Sequence, residues 1–436
     1  MVDGTIHIVG AGLAGLATAV RLVECGRKVV IHEANRFAGG RCRSFHDPRL
    51  DREIDNGNHL ILSGNRSTLA YLATVGAADR LVEQPAQFAF VDLAGNRRWT
   101  VAMNRGPLPW WIAAPGRRIP DTGIADYLSG IRLALAGADK TVAQALPQRG
   151  PIWTRFWEPL TLAAINTTPE RASAQLLWAV LCETFVRGER YSRPMLAPGG
   201  LGHALVEPAV DWLGARGVEF RLDRQLRTVE RQGERAVALR FTDGVETLGS
   251  HDQVVLSMPP SRLRAVLQDA LPEIDPPDDD CAIINVFFRL AEAPPDAQPK
   301  IVGVLASTAQ WIFWRGDVVS VTVSAADALG IDNQTSEALF ADIWEETKRT
   351  LGLAAGAPYL AARINKERRA TFDQSPAGVA KRLRPRCEMV NLFLAGDATD
   401  TGLPATIEGA IRSGERAARL VCQGDQGGDD RGIRAP

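Results

Sequence analysis

The sequence predicts an α/β protein in which a parallel sheet begins at the amino terminus. Residues 5–9 (TIHIV) form a short apolar, β-branched run that stops at Gly10, as a buried strand does. Residues 12–25 carry apolar side chains at helical spacing and are followed by Gly26, and residues 28–32 form a second apolar run. A strand, a helix and a strand in this order make a βαβ unit, whose right-handed crossover places the two strands parallel.

The composition is that of a large globular protein. The 436 residues are 45% hydrophobic and 23% charged, which excludes disordered, collagen-like and disulfide-scaffold proteins. At about 150 residues per domain, the length suggests two or three domains. The 50 basic and 51 acidic side chains give a net charge of -1, so we expect no nucleic-acid partner.

Neither a disulfide framework nor a membrane-spanning helix is expected. The six cysteines are scattered without a C-x-x-C pair, and we interpret them as the reduced thiols of a cytoplasmic protein. No stretch reaches about 18 consecutive apolar residues. The amino terminus lacks a positively charged region before its apolar run, so we interpret that run as a strand and not as a signal peptide.

The α/β pattern returns in two later parts of the chain and is interrupted by parts of different character. The returning parts are predicted to form a helix at 205–213, strands at 218–222, 236–241, 254–256 and 392–395, and a helix at 406–421. The interrupting parts are predicted to form helices at 124–135, 172–185 and 337–351 and strands at 282–290 and 318–323.

This alternation predicts two interleaved domains. We expect a Rossmann-like nucleotide-binding domain built from residues 1–85, 198–265 and 386–422. We expect an α+β substrate domain built from residues 86–197, which are mostly helical, and residues 266–385. The Gly- and Asp-rich tail, 423–436, is expected to be disordered.

The strongest motif is GAGLAG at residues 10–15, between the first strand and the first helix. In this G-x-G-x-x-G pattern the first glycine allows a tight turn, the second lets a pyrophosphate approach the backbone, and the third lets helix and strand pack closely. The helix N terminus adds free N–H groups and a partial positive charge. Glu33 ends the second strand, where a carboxylate accepts a hydrogen bond from a ribose hydroxyl. Together these features predict dinucleotide binding.

Further motifs indicate that the dinucleotide is FAD. Gly40 and Arg41 follow closely after Glu33, where a glycine lets the backbone approach the cofactor and an arginine offers two donors to phosphate. Residues 55–59 (DNGNH) form a polar turn that is able to approach a ring system. Asp397 follows a late strand, where a carboxylate suits ribityl hydroxyls, and a second helix N terminus comes shortly after it.

On these residues the sequence resembles the FAD-dependent amine oxidase and phytoene desaturase superfamily over nearly the whole chain. Within it, the sequence is most similar to the squalene-associated desaturase group, the hydroxysqualene dehydroxylases of bacterial hopanoid synthesis. Three stretches carry this narrower resemblance, at residues 55–59 (DNGNH), 310–313 (QWIF) and 394–414. One departure is Ala398, where this group commonly has a bulky residue, often Trp.

The motifs and the resemblance together imply a set of cofactor contacts. By resemblance, Leu226 contacts the adenine through its backbone. We expect FAD to be bound without a covalent link and we expect no metal site, since no histidine has a second ligand at suitable spacing. The residues expected to bind FAD are Gly10, Gly12, Leu13, Ala14, Gly15, Glu33, Gly40, Arg41, Gly57, Asn58, His59, Leu226, Gly396, Asp397, Pro404, Ala405 and Thr406.

The resemblance implies an oxidoreductase that acts on a long isoprenoid hydrocarbon. The main hypothesis is reductive dehydroxylation of hydroxysqualene to squalene. A carotenoid-type desaturase, an amine oxidase and a non-enzymatic FAD-binding protein are the alternatives; an amine oxidase is expected to carry an aromatic pair near residues 398–401, which read ATDT. The sequence holds no second G-x-G-x-x-G, so electrons are expected from nicotinamide directly or from a separate reductase.

Removal of a hydroxyl group predicts an acid beside the flavin. A positioned acid contributes about 10²–10⁴-fold to such a step. The candidates near the flavin motifs are His59, Asp400 and Glu408, and Glu408 is favoured because it closely follows the turn at residues 404–406. Trp311 is the candidate for stabilising positive charge on the reacting carbon.

A substrate that resides in the bilayer predicts peripheral association with the inner face of the cell membrane. Residues 108–118 (LPWWIAAPGRR) place apolar and aromatic side chains beside Arg117 and Arg118, a combination that suits lipid headgroups. The alternative is a loop that folds onto the substrate domain.

Overall fold

A five-stranded parallel sheet organises the two ends of the chain in a computed structural model that describes residues 4–106, 108–279, 281–293 and 301–424. Every neighbouring pair of strands in this sheet is parallel. In chain order the strands lie 3-2-1-4-5, which is the order of a Rossmann-like sheet, so the predicted fold class is confirmed. In spatial order the strands are Glu219–Arg221, Lys28–His32, Thr5–Val9, Gln253–Ser257 and Leu392–Ala395.

Two helices pack closely together beside this sheet. Helix Leu13–Glu24 follows the first strand, and helix Ile407–Gly424 follows the last one. A Cβ atom placed on Gly414 would lie 2.2 Å from the carbonyl oxygen of Ala14, so the two helix backbones are in contact there. An ion pair between Arg21 and Glu415, at 2.7 Å, ties the same two helices at the surface.

A seven-stranded sheet dominates the rest of the molecule and combines strands from residues 86–197 and 266–385. Its neighbouring strands are antiparallel, apart from the parallel pair Ile301–Leu305 and Gln87–Asp92. Alternate side chains such as Ile284, Val286 and Phe288 form a core with helix Ser336–Leu351. In spatial order the strands are Ala361–Thr371, Cys281–Arg289, Val318–Val323, Trp311–Arg315, Ile301–Leu305, Gln87–Asp92 and Arg97–Ala102.

Short strands and helices complete the described structure. Three small sheets are formed by Leu226–Gln232, Arg235–Phe241 and Gly244–Thr247, by Ser44–Asp47 and Arg52–Asp55, and by Ile61–Leu62, Pro194–Leu196 and Val82–Glu83. The remaining α-helices are Arg66–Thr74, Ile124–Leu128, Ile131–Leu135, Val142–Ala145, Gly150–Ile152, Glu158–Ile165, Ala174–Glu183, Glu207–Gly214, Pro260–Leu267 and Pro376–Ala380. Two π-helical turns, Trp153–Trp157 and Gly202–Val206, run directly into α-helices.

The predicted helices and strands differ from those in the structure mainly where contacts between distant residues determine the local conformation. The helix predicted at 124–135 is two short helices, because the chain turns at Gly130. A side chain at Gly130 would lie 2.7 Å from the ring of Trp157, so the close approach of this tryptophan requires glycine there. The hairpin of strands Gln87–Asp92 and Arg97–Ala102 was not predicted, since its charged edge strand lacks an apolar run.

Two predictions concern the membrane and the tail. Within the described ranges, no helix has both the length and the apolar character needed to cross a bilayer. The disorder predicted for residues 423–436 falls, from residue 425 onward, outside the described residues.

Candidate active site

The turn after the first strand brings strand and helix into backbone contact. Gly10 has a φ of +109°, and a Cβ atom there would lie 1.9 Å from the carbonyl oxygen of Ser257. A Cβ atom on Gly15 would lie 1.9 Å from the carbonyl oxygen of Gly10. Both positions therefore require glycine, and together they hold the helix N terminus at the carboxyl ends of the parallel strands.

Gly12 has a different reason to be glycine. Its backbone, with φ -72° and ψ 176°, accepts any residue, and a Cβ atom there would meet no described atom within 4 Å. The open space lies at the N terminus of helix Leu13–Glu24, where no side chain caps the free N–H groups of residues such as Leu13 and Ala14. This is the cradle that a pyrophosphate requires, so these residues fit the predicted dinucleotide.

Glu33 is held at the end of the second strand by three hydrogen bonds. Its carboxylate accepts hydrogen bonds from the backbone N–H of Ala11, at 2.8 Å, and from the backbone and side-chain amides of Asn35, at 2.9 and 2.8 Å. The same carboxylate thus ties the glycine-rich turn to the second strand. Arg224, two residues before Leu226, donates its backbone N–H to the carbonyl oxygen of Glu33. This contact brings the chain segment of Leu226 next to the expected ribose position.

Arg41 and Asp397, predicted separately as cofactor contacts, face each other. A terminal nitrogen of Arg41 lies 2.6 Å from a carboxylate oxygen of the buried Asp397, and this negative charge raises the pKa of Arg41. Gly40 lies against Gly12, since a Cβ atom on Gly40 would be 3.4 Å from the Cα atom of Gly12. The motifs from the two ends of the chain therefore meet at the glycine-rich turn. Gly396 belongs to the same group and donates its N–H to Ser413.

A cavity of about 320 Å³ lies between these motifs and the seven-stranded sheet. Its volume falls in the range of about 300–1,000 Å³ that is usual for small-molecule sites. Arg41, Gly57, Asn58 and His59 line it, together with the turn at 404–406 and Glu408. Aromatic and aliphatic side chains line most of the remainder, among them Phe88, Phe90, Trp111, Phe156, Phe185 and Trp311.

The turn before the last helix is fixed at the edge of this cavity. Pro404, Ala405 and Thr406 line it directly. The backbone N–H of Ala405 donates to the side chain of Gln374 at 2.8 Å, and the hydroxyl of Thr406 accepts the N–H of Gly409 at 3.1 Å. Ala398, where the sequence departs from the group it resembles, is fully buried in a neighbouring core cluster and not among the cavity-lining residues described.

A polar network beneath Gly57 and Asn58 was not predicted from the sequence. The hydroxyl of Thr322 donates to the side-chain oxygen of Asn285 at 2.9 Å and accepts from the side-chain amide of Asn58 at 3.0 Å. Ser320 donates to the side-chain oxygen of Asn58 at 2.8 Å. The available signal was a set of polar residues with period two inside apolar strands, since CAIINVFFR and VVSVTV place Asn285, Ser320 and Thr322 on one face.

His59 lines the cavity and is an exposed residue. Desolvation by the surrounding protein, assisted by the nearby positive charge of Arg41, lowers the pKa of His59 to about 4. The imidazole is therefore neutral at neutral pH and has one N–H to donate. No hydrogen bond to this ring is formed by any residue that the structure describes.

The contacts of Glu408 argue against the proton-donor role that we predicted for it. Its carboxylate accepts hydrogen bonds from the backbone N–H of Ser67 and Thr68, at 3.0 and 2.9 Å, and from the hydroxyl of Thr68 at 2.8 Å. Arg412 donates to it at 3.1 Å. Four donors directed at one carboxylate make it an acceptor that fixes the N terminus of helix Arg66–Thr74.

The fold and the site define the protein as a dinucleotide-binding protein of the Rossmann-like class. The family model for flavin-containing amine oxidoreductases matches residues 13–422. The chain therefore belongs to this family. Members of this family contain a flavin, and the cradle described above suits a dinucleotide. Together these two findings identify the cofactor as FAD.

Relatives with similar sequences carry a more specific name. The chain is 43% identical to a hydroxysqualene dehydroxylase of Rhodopseudomonas palustris, over 96% of this chain and 98% of the relative. It is 41% identical to one of Sinorhizobium fredii, over 95% and 98% of the two chains. A 15-cis-phytoene desaturase of Arabidopsis thaliana is more distant, at 22% identity over 96% of this chain and 80% of the relative.

Solved structures share the fold at low sequence identity. Cyclohexylamine oxidase from Brevibacterium oxydans superposes with a TM-score of 0.72 at 14% identity, over 97% of this chain and all of the other. A protoporphyrinogen oxidase structure from Exiguobacterium gives a TM-score of 0.68 at 16% identity, over 96% and 98% of the two chains. At these identities the likeness concerns the fold.

We expect Gly12→Val to fold but to lose FAD. A Cβ atom at this position meets no described atom within 4 Å, yet the valine side chain fills the space that the pyrophosphate requires, so flavin occupancy should fall at least about tenfold. The ratio of flavin absorbance to protein after purification measures this. Gly356→Val is a matched control, because a Cβ atom at Gly356 also meets open space, far from the motif in sequence. A yellow Gly12→Val protein with full occupancy would contradict the assignment.

We expect Glu408→Gln to lower stability and to leave the chemistry intact. An amide cannot accept all four donors, and hydrogen bonds to a charged group contribute about 1.5–3 kcal/mol. Denaturant unfolding of the FAD-bound protein measures this loss. Glu415→Gln, on the same helix, is the control, and its more exposed ion pair should cost about 1 kcal/mol or less.

The rate decides between the two roles of Glu408. Removing a proton donor costs about 10²–10⁴-fold. A single-turnover rate of Glu408→Gln within about threefold of wild type supports the anchoring role. A rate about 10²–10⁴-fold below wild type would instead show that Glu408 is the proton donor.

Proposed function

We propose that this protein reductively removes the hydroxyl group of hydroxysqualene to give squalene. The relatives that bear the name hydroxysqualene dehydroxylase match nearly the whole chain at 38–43% identity. The more distant carotenoid desaturases are related over similar or shorter lengths at 22–26% identity. The proposed substrate is thus a neutral isoprenoid alcohol.

The observation that carries this proposal is an apolar cavity in which four of the five charged lining residues described are in ion pairs. Arg41 is paired with Asp397 and Arg155 with Asp121, at 2.6 and 2.9 Å. Glu183 and Glu408 both contact Arg412. Glu367, the fifth, is in no ion pair with the described residues, but its charge acts on Arg41, whose pKa it helps to raise. Such a cavity favours a neutral ligand, because the positive charge of Arg41 partly offsets the one carboxylate that a cation could use.

The reaction exchanges one bond to the substrate carbon for another. The carbon–oxygen bond breaks, a carbon–hydrogen bond forms, and the oxygen leaves as water after it gains a proton. Reduced FAD supplies the hydride. We propose that a separate reductase or a nicotinamide reduces the flavin, since the sequence carries one dinucleotide motif.

The chain's own residues exclude water and handle charge and protons. The aromatic lining excludes water from the reacting carbon. The ring of Trp311, which is part of this lining, stabilises the positive charge that develops on that carbon. With Glu408 committed to helix Arg66–Thr74, we assign the proton donation to His59. The lowered pKa of His59 makes its protonated form a strong acid that is more populated as the pH falls toward 4.

Product analysis tests the proposed function. We expect chemically reduced holoenzyme, mixed anaerobically with hydroxysqualene, to form squalene in an amount equal to the flavin present. Oxidised holoenzyme should give none, which is the matched control. A carotenoid desaturase would instead introduce a double bond into phytoene while its flavin becomes reduced, and an amine oxidase would reduce its flavin with an amine. Absence of squalene would refute the proposal.

We also propose that the protein docks on the inner face of the cell membrane, through apolar side chains beside the cavity wall. The turn Trp110–Ala113 packs on helix Ile124–Leu128, since the rings of Trp111 and Tyr127 are in edge contact at 5.3 Å. Trp111 is 5% exposed and lines the cavity, whereas Trp110 is 54% exposed. The exposed apolar side chains, here termed the 108–135 surface, are Leu108, Trp110, Ile124, Leu128, Ile131 and Leu135.

Positive charge accompanies this surface. The guanidinium of Arg117 lies 5.0 Å from the ring centre of Trp110, and Arg132 belongs to helix Ile131–Leu135. Exposed apolar and aromatic groups with nearby arginines are typical of contact with anionic lipid. The sequence segment predicted for this role thus contributes Leu108 and Trp110, while the two short helices contribute the rest.

Liposome flotation tests the 108–135 surface. We expect Trp110→Ser with Leu135→Ser to reduce the fraction of protein that floats with anionic vesicles, because both side chains are exposed and neither change disturbs the core. Leu360→Ser with Val390→Ser removes two exposed apolar side chains elsewhere and is the control. Equal flotation of the two double variants would exclude this surface as the anchor.

A further inference from the structure

The floor of the cavity has a polar half and an aromatic half. Register partners in five adjacent strand pairs form one row across the seven-stranded sheet, and partners in register present their side chains on the same face. The row therefore runs from amides and a hydroxyl at one end to aromatic rings at the other. Its members, in order, are Asn365, Asn285, Thr322, Trp311, Gly303 and Phe90.

The aromatic half is tightly packed. The rings of Trp311 and Phe90 meet edge to face, with their centres 5.8 Å apart. A Cβ atom on the intervening Gly303 would lie 2.6 Å from the ring of Phe90, so glycine is what lets this ring lie over the strand. Apart from the indole N–H of Trp311, this half of the floor offers apolar contact to a ligand.

Of the two amides in the row, Asn365 donates to Asn56 and Asn285 has unused donors. Asn285 is 2% exposed and lines the cavity. Its side-chain oxygen accepts the hydroxyl of Thr322 at 2.9 Å and the backbone N–H of Asn58 at 3.5 Å, which fixes the orientation of the amide. The side-chain nitrogen lies 3.0 Å from where a Cβ atom on Gly57 would be. None of the residues in the described ranges accepts a hydrogen bond from it.

We propose that the amide of Asn285 binds the hydroxyl oxygen of the isoprenoid alcohol and thereby selects which carbon of the chain reacts. This inference rests on the proposed function. A buried amide N–H without an acceptor costs free energy, so the fold is stabilised when a ligand oxygen occupies that place. A hydrocarbon has no such oxygen and is bound less well.

The row of side chains also explains how a long isoprenoid ligand with repeating units is held at one position along the cavity. Isoprene units are alike, so apolar contacts alone cannot distinguish one position along the chain from the next. The hydrogen bond from Asn285 places the carbon that bears the oxygen beside Thr322, and its neighbours then lie toward Trp311. Donors directed at the oxygen also favour its departure as water. The product lacks the oxygen, so its release is favoured.

A binding measurement that needs no turnover tests this role. Oxidised holoenzyme has no hydride to deliver, so its flavin spectrum can be titrated with hydroxysqualene and, separately, with squalene in the same detergent. We expect wild type to prefer the alcohol. Asn285→Leu should lower the ratio of the two affinities by about tenfold, which equals about 1.4 kcal/mol and matches one hydrogen bond.

Two further variants separate binding from structure. Asn285→Asp keeps the oxygen that accepts from Thr322 and Asn58 but removes the N–H donors, so it should lower the ratio as well. Asn365→Leu removes an amide from the same row that is tied to Asn56 and should leave the ratio unchanged.

The outcomes distinguish this inference from the proposed function. An unchanged ratio in both Asn285 variants, or an equal loss in Asn365→Leu, would overturn the hydroxyl site even if wild type converts hydroxysqualene to squalene. Failure of wild type to make squalene would overturn the proposed function and the hydroxyl site with it.

Discussion

The close approach of backbone to backbone around the glycine-rich turn is the constraint on which the rest of the structure depends. Gly10 lies against Ser257, Gly15 against Gly10, and Gly414 against Ala14, each at a distance that leaves no room for a side chain. These contacts join the first strand, the first helix and the last helix of the chain. Because all three meet there, two helix N termini and two carboxylates, Glu33 and Asp397, converge from distant parts of the sequence.

Successive side chains along the strands of the seven-stranded sheet point to opposite faces, so one face packs in the protein core and the other lines the cavity. One face carries Ile284, Val286 and Phe288 into a core with helix Ser336–Leu351. The other face carries Asn285 and Thr322 to the cavity. A shift in register by one residue would exchange these sets and would bury amides in the core, so the stability of the core also secures the polar floor of the site.

The local parts of the fold could be predicted from the sequence, and the contacts between distant parts could not. Thr5–Val9, Lys28–His32, Val318–Val323 and Leu392–Ala395 are apolar runs with clear ends, and the structure has strands at those residues. The contacts of Glu408 depend on helix Arg66–Thr74, more than 300 residues away in sequence. The residues near Glu408 in sequence give no indication of that helix. In the same way, the sequence does not indicate that Trp111 is buried while Trp110 is exposed.

The cavity must exclude water from the reacting carbon and must also supply a proton to the leaving oxygen. Burial that protects a reacting carbon from water also lowers the pKa of His59, so at neutral pH few molecules carry the proton that the leaving oxygen needs. A carboxylic acid would carry that proton only if it were unpaired, and the carboxylates that line the cavity are engaged by Arg412 or lie near Arg41. Hydrogen-bond donors that are already in place, as on Asn285, stabilise negative charge that develops on the departing oxygen until the proton from His59 arrives and the oxygen leaves as water. A dry site with neutral donors is thus suited to a hydroxyl group that leaves as water once its carbon is in position and the proton has been delivered.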